Sequence, residues 1–148
     1  MTGPVGRQAS IGFVFGLFVE RLFKDREQTG VVVVTLPEEM PVNETVELVA
    51  GVEGELHLNV EQIVVNGMLP PLFSQEERAA LRAPHVLDET DPGDATLAAG
   101  VRRATREEVQ AQSLARLTQE LRAPKVYLPY LFDGAETRAS LDELVRRL

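Results

Sequence analysis

The stretch VVVVTLPEEMPVNETVELV, residues 31–49, decides how this chain is read. Four valines and Thr35 form a continuous β-branched run, the signature of a strand covered on both faces in a parallel sheet. Pro37 and two glutamates follow, and then Val42, Val46, Val49 and Val52 recur at helical spacing. Pro41 suits the first turn of that helix. A strand–loop–helix of this kind often holds a phosphate at the helix N-terminus, where backbone N–H groups and the helix dipole favour an anion. Here the loop has no glycine and carries Glu38, Glu39 and Glu44. Carboxylates in that position repel phosphate and are suited to capping and solubilising the helix; a general-base role for them would need a partner, and none is in view.

Outward from this unit, the chain alternates. Ile63, Val64 and Val65 form a second short strand ending at Asn66-Gly67, and Lys125 to Leu128 a third, stopped by Pro129. Helices are predicted at 74–82, at about 104–122 and from Ser140 through Leu141, Leu144, Val145 and Leu148. Residues 1–10 are read as a flexible lead-in, 11–24 as an apolar helix capped by Ser10, and 83–103 as an acidic loop. Strands alternating with helices imply an α/β fold with a parallel sheet. Three strands make a thin sheet with two open edges, which reads as a portion of a larger one.

Composition narrows the function. At 148 residues the chain suits one domain, and a chain of this size buries roughly 70% of its unfolded surface. The net charge is −8, which argues against nucleic acid, since phosphate binding needs clustered Lys and Arg. With no cysteine, disulfides and thiolate metal sites are excluded. The uncharged run Ile11–Val19 is far short of the ~20 residues that span a bilayer. His57 and His85 lack a second ligand at metal spacing, and DETDPGD, residues 88–94, lacks the downstream Glu of a calcium loop. No Walker A pattern GxxxxGK[ST] and no GxGxxG occurs in these residues, and no catalytic residue is assigned.

Two places at the carboxyl edge of the sheet are candidates for ligand binding, because open α/β sheets bind ligands there. Asn66 leaves the second strand, and its amide can match the adenine edge at N6 and N7; Asn-Gly is equally a turn dipeptide. Pro129, Tyr130 and Leu131 leave the third strand, suited either to stacking a base or to plain core packing.

In order, VVVVTLPEEMPVNETVEL, IVVNGMLP, VYLPYL and SLDELVRRL resemble the C-terminal part of the ArsA-like ATPases, the arsenite-pump and tail-anchored-protein-targeting enzymes of the P-loop NTPase superfamily. The resemblance covers residues 20–148 and rests on Pro37, Glu38, Glu44 and Thr45, on the strand ending in Val65-Asn66, and on the closing strand, proline and leucine-spaced helix. It implies a three-strand portion of a P-loop NTPase-like fold that contributes adenine contacts through Asn66, Pro129, Tyr130 and Leu131. The phosphate loop and the ligands of Mg would lie in an N-terminal half outside this chain. The expected cofactor is ATP with Mg; the expected partners are that half or a second copy, with a hydrophobic client or a membrane pump, in the cytoplasm. Two departures stand out. There is no CxxC zinc pair, which excludes a zinc-clasped dimer, and Gly134 and Thr137 stand where the family has Glu and Gly after its closing Pro-Leu. Without a Walker A lysine the isolated chain should not hydrolyse ATP. A second reading is a non-enzymatic interaction module that keeps the fold without nucleotide.

Overall fold

Gly30–Thr35 form β1, and its β-branched run is extended because side chains of this shape pack best on a pleated surface. The computed structural model describes residues 21–147 except 24, 26, 85, 87, 89 and 133. The chain continues through α1 (Glu39–Gly54), β2 (Asn59–Met68), α2 (Gln75–Leu81), α3 (Pro92–Glu120), β3 (Lys125–Pro129) and α4 (Arg138–Val145). The lead-in and the apolar run 11–20 lie outside the described residues; 21–23 are helical. The three strands form one parallel sheet in the order β1-β2-β3, with β2 central.

Both crossovers step the same way across the sheet, and right-handed crossovers in one direction land on one face. That face holds the core. Val42, Val49 and Val52 of α1 pack with Val33, Ile63 and Val65 of the sheet and with Leu117 and Leu121. The valine stripe read from the sequence is this contact, with Val46 partly buried beside it.

The expectation that β1 is covered on both faces is corrected here. Val33 is 3% exposed, but Val32 and Val34 are 54% and 65% exposed. Pairing puts Val34, Val64 and Val126 side by side on this second face; Val64 in the central strand is 7% exposed, so the open surface is at the β1 edge. The run encodes two apolar faces, while α1 and α3 cover one.

Three boundaries also differ from the sequence reading. Residues 92–103, read as part of an acidic loop, are the first turns of α3: Asp91 accepts from the N–H groups of Gly93 and Asp94, and Pro92 sits in the first turn. Pro-Gly thus starts a helix here, because proline lacks only an N–H that the first turn leaves unpaired anyway. β2 does not turn at Asn66-Gly67 but runs on to Met68, with a register irregularity between Val65 and Met68. Gly67 adopts φ +76, a conformation that favours glycine and admits this bulge. Glu38 occupies the N-cap of α1 but makes no side-chain capping bond, so its carboxylate acts there through charge alone.

Candidate functional site

The carboxyl ends of β2 and β3 open onto a cavity of about 790 Å³. One wall is the segment that leaves β2, Met68 to Pro71; the other is Pro129 to Phe132, with α4 closing the side. The two walls meet where the Tyr130 N–H donates to the Met68 carbonyl at 2.8 Å, extending the pairing of Met68 with Pro129. Tyr130 and Phe132 stand edge to face, ring centroids 5.0 Å apart, and Phe132 is 68% exposed. Large aromatic surface kept open in a concavity is suited to a flat ligand.

Of the residues singled out from the sequence, Pro129, Tyr130 and Leu131 all line this cavity. Asn66 lines neither this cavity nor its neighbour; it is exposed near the end of β2, two residues before Met68. A second cavity of about 650 Å³ lies on the other side of Leu69 and Tyr130, between Leu36–Pro41 and the middle of α3. Its rim carries Glu38 and Glu39 opposite Arg106. Phosphate is therefore not favoured on the Glu38 side, in keeping with the charge argument from the loop.

Sequence reading missed what holds the first wall. Pro70 and Pro71 interrupt the strand ladder, so the backbone groups around them need other partners. Three side chains of α3 provide them. Gln110 accepts from the Leu69 N–H at 2.9 Å and donates to the Leu69 carbonyl at 3.0 Å. Glu107 accepts from the N–H groups of Leu72 and Phe73 at 2.9 and 3.3 Å. Arg103 donates to Glu107 at 2.7 Å and to the Pro70 carbonyl. From α2, Arg78 donates to the Phe73 carbonyl at 2.9 Å and lies 3.7 Å from carboxylates of Glu107 and Glu108. Glu107 is only 3% exposed. Burial by itself pushes its pKa up; the bonds from Arg103, Leu72 and Phe73 and the Arg103 charge outweigh that and hold the carboxyl below its ordinary value. The signal was present as Arg103, Glu107 and Gln110 at helical spacing, but a polar stripe at that spacing usually faces solvent.

Among the described residues, no cluster of His, Cys, Asp or Glu could hold a metal ion, and no helix is long and apolar enough to cross a membrane. Comparison with protein families matches residues 17–87 to the anion-transporting ATPases. The matched stretch runs from ahead of β1 through α2 and includes Asn66; α3, β3 and the Tyr130 wall follow it. A comparison with curated proteins finds no match.

Proposed function

We propose that this chain, whose residues 17–87 match the anion-transporting ATPase family, is the adenine-binding portion of such an ATPase. The observation that carries the reading is the aromatic-walled cavity at the carboxyl edge of the parallel sheet, where Pro129, Tyr130 and Leu131 face Met68–Pro71. The base lies against Tyr130 and Leu131, and Asn66, outside the cavity lining but two residues ahead of Met68, is the side chain whose amide would meet the adenine edge at its mouth. The triphosphate and Mg are held by a Walker A half outside these 148 residues, since this stretch has no phosphate-binding lysine loop and its own βα loop is acidic. That half completes the sheet, in a cytoplasmic ATPase whose nucleotide-driven closure acts on an anion pump or a hydrophobic client.

The test pairs the chain with a Walker A-bearing half and measures ATP and GTP by calorimetry. Asn66→Ala should weaken ATP by about 1–3 kcal/mol and GTP by less. Equal ATP affinity in the variant and the wild type removes Asn66 from the site, and magnesium-dependent hydrolysis by the 148-residue chain alone overturns the divided arrangement. One observation favours a second reading, an interaction module without nucleotide: the exposed Val32 and Val34 give the sheet an apolar face open to a protein partner. Failure of the pair to bind ATP, together with stable association of the two, would select it.

A further inference from the structure

We propose that Arg103, Glu107 and Gln110 are positioning residues that preset the adenine pocket by fastening its Leu69–Pro71 wall, and the Leu72–Phe73 segment that continues it, to α3. The inference rests on the adenine reading of the cavity. Residues 103, 107 and 110 fall on one stripe of α3, at spacings of four and three that bring side chains over one another. Between them they take up the N–H and carbonyl of Leu69, the carbonyl of Pro70 and the N–H groups of Leu72 and Phe73.

The chemistry of this bracket is that of a register device. A segment with two successive prolines cannot join the sheet, and apolar packing alone would let it slide along α3. Gln110 prevents that sliding, because its amide matches both polar groups of one residue, as a neighbouring strand would. Burying the Glu107 carboxylate adds little net stability over apolar packing, yet its bonds from the Leu72 and Phe73 N–H groups and from Arg103 are made only when the segment sits in this register. Buried polar contacts of this kind give geometric specificity at a cost in stability. The opposite wall, by contrast, is tied to β2 through main-chain pairing at its start, by the Met68–Pro129 register and the Tyr130–Met68 bond. One wall is thus fixed, and the ligand needs only to settle the other, which lowers the ordering cost of binding.

The test uses the full 148-residue chain, with adenosine and guanosine at millimolar concentration as probes, in backbone amide NMR. In the wild type, adenosine should shift the Tyr130 and Leu131 amides more than guanosine does. In Gln110→Leu, which keeps the bulk and loses both bonds, exchange of the Leu69 amide should rise roughly tenfold. The Ile63–Val65 amides should stay protected, and the preference for adenosine should fall towards parity. Gln110→Glu keeps the acceptor and loses the donor, so it should retain part of the preference; a purely structural role would not separate these two variants. Unchanged Leu69 exchange, or full preference despite faster exchange, overturns the positioning role. If adenosine leaves the wild-type Tyr130 and Leu131 amides unmoved while Leu69 exchange still responds to Gln110→Leu, the adenine reading fails and takes the ligand named here with it.

Discussion

The two faces of the sheet begin from the same valine run and end differently. Val33 is buried under α1 and α3, while Val34, the next residue along the same strand, is open. Nothing in the side chains distinguishes them. The difference comes from connectivity, since both crossovers return to the same face. The covered face also carries the polar bracket on the Leu69–Phe73 segment, so packing and site geometry are organised from one side.

The sharpest way to break this comparison is to place one charge on each face. Val33→Asp should prevent folding or cost about 4 kcal/mol or more, since an unpaired carboxylate would be buried in the core. Val34→Asp should shift stability by under about 1 kcal/mol in the same chain. Comparable losses in thermal melts would mean that the second face is covered after all.

Next in size is the bracket. Glu107→Ala leaves Arg103 without its carboxylate and two N–H groups unpaired, and is expected to cost about 3 kcal/mol in urea unfolding. Its pH dependence has a definite sign. A folded pKa held below the ordinary 4.5 contributes stability that is fully present above that value and is lost as pH falls through the lower, folded value. The gap in melting temperature between wild type and Glu107→Gln should therefore be widest near neutrality and shrink as the solution is acidified past the unfolded value. A gap that widens in acid would reverse the assignment.

The smallest effect belongs to α4. It is capped by Thr137, which accepts from the Ser140 N–H, but none of its residues is buried. Leu141→Ser should change stability by about 0.5 kcal/mol or less, as for an exposed surface position. A larger loss in the same melts would show that α4 packs more firmly than its exposure implies.

The parts legible in advance were those with a local physical cause. The β-branched runs at 31–35 and 63–65 mark strands, the stripe Val42, Val49 and Val52 marks the packed side of α1, and alternation of strands with helices implies a parallel sheet. The gathering of Pro129, Tyr130 and Leu131 at one edge followed from strand order, because the carboxyl ends of parallel strands come together. Where local signals carried two meanings, context chose. Asp91-Pro92-Gly93 reads as a turn until the Asp91 carboxylate caps α3, and Asn66-Gly67 reads as a turn until Met68 pairs with Pro129.

By itself, then, the amino-acid sequence determined the element types, their order, the buried stripe of α1 and the acidity of the β1–α1 loop. These depend on side-chain shape, periodicity and charge within a few residues. Only the tertiary structure decided which face of β1 is covered, and that Arg103, Glu107 and Gln110 turn inward onto a segment about 35–40 residues earlier in the chain. A polar side chain bonds the same way to water as to a distant backbone, and nothing local to it records which of the two it meets.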